Sequence, residues 1–422
     1  MSVQSNVSML LRFVGREPDP SLPIAVRYWD GKLVGQNDAK VTIALKSPAS
    51  LLQLLPPTAG KFARAYVEGA IDIIGNMRDV VALGARMANI GVTRHLPRLL
   101  GPFHTRRSDR NAIQFHYDVS NDFYSLWLDR NMVYSCAYFH SENDTLDQAQ
   151  QQKLDHICRK LCLQPGDRFL DVGCGWGGLI LWAAQHYGAH CVGITLSQNQ
   201  HQFVSNRIRE LGLQNVCEVR LADYRELDER QRFNKIASVG MFEHVGRKNL
   251  PLYFSKIYRL LEPGGLVLNH GISTAFMKGR ELSSGFGDFI DRYVFPDGEL
   301  VHVAEAMHEL ADSGLEARDV ECLRPHYAKT LWHWVDRLDR KAEIARQYVG
   351  EKSYRVWRMY MAASAYAFER GWISLYQILG GRPRQDGSLP YPLTRAHLYD
   401  RHPGFMELPS QVAAREMTAL AR

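Results

Sequence analysis

The chain has 422 residues, 45% of them hydrophobic and 23% charged, with a formal net charge of +6. That length accommodates two domains of about 100 to 200 residues each and a sizeable core, and the composition excludes a disordered or low-complexity chain. Seven cysteines (Cys136, Cys158, Cys162, Cys174, Cys191, Cys217 and Cys322) stand without CxxC pairs, which argues against a disulfide framework or zinc ribbon and points to a reducing cytosol.

The first residues, "MSVQSNVSMLLRFVG", lack the basic start, long apolar run and small-residue cleavage site of a signal peptide. No stretch reaches the roughly 18 apolar residues of a spanning helix. Short strand-like pieces, "IAVRYWDG" and "KVTIALKS", then alternate with helical "PPTAGKFARAYVEG" and "MRDVVALGARMANI". Asp30-Gly31 and Pro56-Pro57 supply turns. These signals predict a small α+β domain over 1–92. Residues 93–112 read as a linker in which Arg94, His95, Arg98, His104, Arg106, Arg107 and Arg110 crowd together. Such a run is either a solvated connector or a surface drawn to phosphates. With no nucleic-acid-binding module in the chain, an anionic membrane leaflet is the better partner.

From about residue 145 the rhythm changes. A helix "LDQAQQQKLDHICRKLCL" leads into strand "RFLDVG", helix "LILWAAQHYG", strand "HCVGITLS" and helix "QNQHQFVSNRIRELG". The alternation continues through "VCEVRLAD", "NKIASVGMF", "LPLYFSKIYRLLEPGG" and "LVLNHGIS". It predicts a doubly wound, mostly parallel α/β sheet with its site at the carboxyl ends of the strands. This unit spans 113–400, and 401–422 form a tail.

Within it, "FLDVGCGWGG" sets Gly173, Gly175, Gly177 and Gly178 between a strand and a helix, where a ligand can approach the backbone. Gly173, Gly175 and Gly178 also satisfy the dinucleotide pattern GxGxxG. A nicotinamide enzyme, however, needs Asp or Glu at the end of the second strand, and that strand ends "GITLSQNQ". Asp171, two residues before the first glycine, instead suits S-adenosylmethionine (SAM), whose ammonium group a carboxylate here can engage.

The strings "YDVSNDFYSLWLD", "YSCAYF", "LDVGCGWGG", "GITLSQNQ", "FEHVG", "LLEPGG", "FPDGEL" and "HYAKTLWHW" occur in the order and spacing of the cyclopropane-fatty-acyl-phospholipid synthase family. The chain resembles that family, with its mycolic acid cyclopropane synthase-like members, over essentially its whole length. The resemblance implies a class I SAM-dependent methyltransferase fold, a Rossmann-like doubly wound sheet, preceded by an α+β domain of lipid-binding type. It places SAM contacts on Tyr134 and Ser135, on the Gly173, Gly175 and Gly177 loop beside Asp171, on Thr195 and Gln200, and on Asp223 with Tyr224. Gln200 would stand in for the missing ribose carboxylate. Where this chain has Asp223-Tyr224, the family often carries a bulkier aromatic.

The implied reaction is addition of a methylene group from SAM across the cis double bond of a phospholipid acyl chain. An alkene is a poor nucleophile, so positioning against a strong electrophile carries the first step. Positive charge then rests on carbon until a base removes a proton, which demands a dry pocket and aromatic faces. Tyr134, Tyr138, Phe139, Trp176, Phe286, Tyr293 and Trp332 are the aromatic candidates. By resemblance the base is a bound bicarbonate ion held by Cys136, Glu243, His270, Ile272 and Tyr327, with no metal. Read without the family, Glu243 is a helix-start carboxylate, His270 a core histidine after "GLVLN", and Tyr327 a corner residue before helix "TLWHWVDRL".

The same motifs accommodate two other readings: a SAM-dependent methyltransferase that adds a methyl branch to unsaturated lipids, and a non-catalytic lipid-binding protein. The family resemblance further implies a homodimer in the cytoplasm, touching the inner membrane peripherally to reach phospholipids with unsaturated acyl chains, and no nucleic-acid partner.

Overall fold

The computed structural model describes residues 24–35, 38–54, 59–90, 120–275 and 299–399, together with Phe289 and Tyr293. The basic linker, Pro56-Pro57, Phe286 and the expected tail lie outside the described residues.

A first sheet combines β1 (Ile24–Arg27), β2 (Leu33–Gly35), β3 (Val41–Leu45) and β4 (Ile71–Gly75) in the order β2-β1-β3-β4. The Asp30-Gly31 turn closes an antiparallel β1–β2 hairpin, with Gly31 at φ 86° and the Tyr28 N–H donating to the Lys32 carbonyl at 2.8 Å. Helices α1 (Pro48–Gln53), α2 (Ala59–Val67) and α3 (Met77–Ile90) accompany this sheet. The sequence reading anticipated β1, β3, α2 and α3 but passed over β4. In "IDIIG" only Ile71 is fully buried, so the strand shows no regular alternation.

The second sheet has seven strands in the order β10-β11-β9-β8-β5-β6-β7. Its parallel part comprises β5 (Arg168–Val172), β6 (His190–Thr195), β7 (Cys217–Leu221), β8 (Phe233–Val239) and β9 (Leu261–Thr274). Antiparallel β10 (Glu316–Cys322) and β11 (Ile373–Gly381) extend it beyond β9. The chain order of the helices is α4 (Asn121–Ser125), α5 (Leu146–Lys160), α6 (Gly178–Tyr187), α7 (Gln198–Glu210), α8 (Leu250–Leu260), α9 (Val303–Asp312), α10 (Arg324–Arg340), α11 (Ala342–Glu369) and α12 (Ala396–Tyr399). Strand reversal at β5, whose neighbours are β6 and β8, opens the crevice in which such sheets hold ligands.

Two local signals set the site's scaffold. Thr145 and Gln148 form a reciprocal capping box that starts α5. Gly177 precedes α6 in the left-handed region, at φ 82°. The sheet-ward face of α5 is unusual in burying Lys153, His156 and Lys160 along with Leu154 and Ile157. Beside the crevice, which Tyr134 and Trp176 line, Phe123, Tyr124, Trp127, Tyr134, Trp176, Trp334 and Trp357 pack in edge-to-face and tilted pairs 4.6–6.1 Å apart.

Helix α11 bends at Gly350, which is non-helical at φ 75°. It joins the first sheet to the second: Arg355 donates to the Tyr66 carbonyl at 2.8 Å and the Ile71 carbonyl at 3.1 Å, and pairs with Asp72. Tyr327 is no corner residue before a helix; α10 starts at Arg324, with Pro325 in its first turn, so Tyr327 lies inside it and is buried.

Candidate active site

A cavity of about 1100 Å³, its open mouth included, lies at the carboxyl ends of β5, β6 and β8. Tyr134, Ser135, Asp171, Gly173, Gly175, Thr195, Gln200, Asp223 and Tyr224 all line it. The glycine loop explains why backbone can form its floor. Gly173, Gly175 and Gly177 have φ of 85°, 55° and 82°, where a side chain is strained. A Cβ at Gly173 would also meet Met241 at 3.2 Å, and one at Gly177 would meet Val204 at 2.9 Å. Gly177 is absent from the cavity wall and instead starts α6, while Gly178 lines the cavity.

Asp171 is almost completely buried, and its Oδ1 has no hydrogen-bond partner. Burial pushes its carboxyl up to about 7, against the pull of Lys153. Lys153, equally buried, donates from Nζ to Ser135 Oγ at 2.9 Å. Burial lowers its ammonium to about 8, opposed by Asp129. An unsatisfied buried carboxylate above a glycine cradle fits a ligand carrying an ammonium group, as SAM does. The sequence reading missed Lys153; its spacing of three from His156 and seven from Lys160, one face of a helix, was the available signal.

On the opposite wall Thr195 Oγ1 donates to Gln200 Oε1 at 2.7 Å and accepts from the Ser197 N–H at 3.1 Å, which fixes the start of α7. Asp223 is clasped by Arg225: Oδ1 accepts from its backbone N–H and Nε, both at 2.9 Å, and Oδ2 from Nη2 at 2.6 Å. Tyr224 packs edge-on against Tyr253.

The residues expected around bicarbonate fall outside the cavity wall and form two groups. In the first, Glu243 Oε1 accepts the Ile272 N–H at 2.6 Å, while Oε2 is sealed from solvent without a partner. Burial raises this carboxyl to about 7. His270, two residues earlier on β9, is buried. Burial, then the positive charges of Lys153 and Lys160, hold its imidazole well below the usual value, so it is neutral. Its Nε2 has no hydrogen-bond partner. Glu243 sits in a 3₁₀ turn, Phe242–His244, rather than at the start of a helix, and β9 runs through His270 to Thr274 instead of ending before it.

In the second group, Cys136 is fully buried, its thiol pushed far up by burial and bonded to the Ala137 carbonyl at 3.2 Å. The Ala137 N–H donates to Thr330 Oγ1 at 3.0 Å, which ties this segment to α10 and thus to Tyr327. Tyr327 packs on Phe368 with ring centroids 4.7 Å apart. Tyr360 of α11, absent from the sequence reading, connects Glu243 with the cavity wall: it hydrogen-bonds Tyr134 and lies within electrostatic reach of Glu243. Nothing local in "RMYMAAS" marks it.

Of the aromatic candidates, Tyr134 and Trp176 line the cavity. Tyr138 instead stacks between His156 and His326, at 4.1 and 4.7 Å, and Phe139 stacks on His333. Tyr293 bonds Glu68, and Trp332 Nε1 donates to Glu369. These four therefore belong to packing away from the glycine loop.

The family model described as mycolic acid cyclopropane synthetase matches residues 104–378, and one described as a domain of unknown function matches 18–94. The chain is 46% identical over 382 residues to a probable fatty acid methyltransferase of Pseudomonas putida, covering 90% of this chain and 96% of that protein. It is 38% identical over 273 residues to the cyclopropane-fatty-acyl-phospholipid synthase of Escherichia coli K12, covering 64% of this chain and 68% of that protein. The crystal structure of mycolic acid cyclopropane synthase CmaA1 complexed with SAH and CTAB aligns with a TM-score of 0.61 and 34% identity, covering 67% of this chain and 99% of that one.

Proposed function

The chain belongs to the mycolic acid cyclopropane synthetase family of SAM-dependent methyltransferases, and from that premise we propose that it converts the cis double bond of an unsaturated phospholipid acyl chain into a cyclopropane ring, with bicarbonate as proton acceptor. The observation that carries the reading is the pair of buried, unpartnered atoms Glu243 Oε2 and His270 Nε2. Polar atoms left unsatisfied inside a protein cost roughly 1–3 kcal/mol each, and a small ion that both accepts and donates hydrogen bonds would satisfy them.

SAM, when bound, supplies an electrophilic sulfonium methyl group. The chain contributes the rest. Asp171 neutralises an ammonium, the glycine loop admits the ligand's close approach, and Thr195 with Gln200 fixes the opposite wall. Tyr134 and Trp176 present apolar faces that exclude water and suit positive charge. Glu243, fixed by the Ile272 N–H, His270, Tyr327 and the Cys136 backbone would hold the ion.

We assign residues 1–92 and the linker 93–112 to lipid presentation, 113–400 to catalysis and 401–422 to a tail. The enzyme would act as a cytoplasmic homodimer in peripheral contact with the inner membrane. No helix among the described residues is long and apolar enough to cross a membrane. The name of the Pseudomonas putida relative, a probable fatty acid methyltransferase, favours a second reading in which the product carries a methyl branch.

Purified protein incubated with SAM and vesicles of unsaturated phospholipid tests both. A product heavier by one methylene, without a remaining double bond, is expected. A product of the same mass that keeps a double bond, as the carbocation gives when it loses a proton without closing the ring, would replace the first reading with the second, and SAM binding without any product would leave a lipid-binding protein.

A further inference from the structure

Across the antiparallel edge of the second sheet three polar residues stand in one row. Glu321 of β10 is opposite Gln377 of β11, and Gln377 is opposite His270 of β9. Residues in register on neighbouring strands share a face, and the buried stripe of α5 engages that face: His156 and Lys160 both bind Glu321 Oε2, at 2.8 and 2.6 Å. Gln377 is completely buried, and its Nε2 lies 3.2 Å from His270 Nδ1.

A neutral imidazole carries a single N–H. With the Gln377 amide donating to Nδ1, that hydrogen sits on Nε2, the nitrogen with no partner. The reversed amide would put an NH₂ with two donors where Gln377 Oε1 now stands alone, and a bare carbonyl oxygen is the better tolerated of the two.

We infer that Gln377 is a positioning residue that fixes His270 as a hydrogen-bond donor at Nε2, making it an anion holder instead of a competing base. This rests on the bicarbonate reading above, and it assigns that site a third-strand residue. The buried lysines of α5 act in the same direction. Protonation of His270 beside Lys153 and Lys160 is unfavourable, so the imidazole stays a neutral donor while their field favours an anion.

The test uses the full chain labelled with ¹⁵N-histidine, with the His270 signals identified by their loss in His270→Gln. The expected wild-type spectrum has an unprotonated, hydrogen-bonded Nδ1 and a protonated Nε2; a protonated Nδ1 overturns the inference without any variant. In Gln377→Met, close in volume but unable to donate, the Nδ1 signal should move to that of an unbonded nitrogen. The bicarbonate concentration for half-maximal rate should rise about tenfold, the scale of one lost hydrogen bond near a charge, with KM for SAM unchanged. A changed spectrum with an unchanged bicarbonate requirement overturns the role in anion holding. If stripping carbonate leaves the wild-type rate intact, the bicarbonate reading itself fails, whereas the nitrogen spectrum still decides whether Gln377 sets the tautomer.

Discussion

Glu243 accepts the backbone N–H of Ile272 at 2.6 Å, two residues past His270 on the same strand. One carboxylate oxygen thus satisfies the end of β9, and the other is left buried and unbonded. This single contact fastens the turn after β8 to the strand that carries His270.

Glu243→Gln follows from it. Glutamine keeps the oxygen that accepts from Ile272 and removes the charge. Because burial raises the folded-state carboxyl from the usual 4.5 to about 7, the folded protein holds a proton that the unfolded chain releases. Stability from this group is complete below about pH 4.5 and is lost as pH rises through about 7. The variant should therefore melt higher than wild type at pH 8 and by a smaller margin at pH 5, while turnover falls and SAM affinity is kept. Paired thermal melts at the two pH values, with calorimetric SAM titration, decide it.

Asp171→Asn should weaken SAM binding by at least tenfold, because a charge-assisted hydrogen bond is worth about 1.5–3 kcal/mol. Burial raises the Asp171 carboxyl to about 7, so wild-type affinity should climb as pH rises through that value. The asparagine variant should show a flat profile over the same range. Equilibrium titration at pH 6 and pH 8 gives both results.

Gly177→Ala places a Cβ 2.9 Å from Val204 at φ 82°. Strain of this kind costs on the order of 1–3 kcal/mol, and it falls on the turn leading into α6. Reduced urea stability and weaker SAM binding are expected together. Gly175→Ala is the contrast, since its Cβ meets no protein atom within 4 Å; at φ 55° it should cost less stability but still obstruct the ligand, which paired denaturation and binding curves would separate.

Cys136→Ser retains the backbone N–H and nearly the volume. The buried thiol has no tendency to ionise, so it is no nucleophile, and substantial activity should survive. Cys136→Trp should abolish turnover by filling the proposed ion site. A serine variant as inactive as the tryptophan one, while still folded and binding SAM, would assign the thiol a chemical role.

The sequence by itself determined the alternating strands and helices of the parallel sheet and where a ligand would approach the glycine loop. Those signals are local: strand and helix periodicities, turn glycines and "LDVGCGWGG" act within a few residues, so Asp171, Gly173 and Gly175 could be read in place; Thr195 and Gln200 came from the family resemblance, and all five gather round one cavity. Only the tertiary structure decided the partners of His270. The Gln377 that faces it lies 107 residues away, brought there by the register of an antiparallel strand that no local pattern encodes. The same holds for Lys153 and Tyr360, ordinary residues on helices until packing buries them beside Asp171 and Glu243, and for Tyr138 and Phe139, whose proximity in sequence to Tyr134 suggested the reaction pocket but whose rings stack on histidines instead. Periodicity tells which face of an element is buried; which atoms meet there depends on contacts between strands and helices distant in the chain.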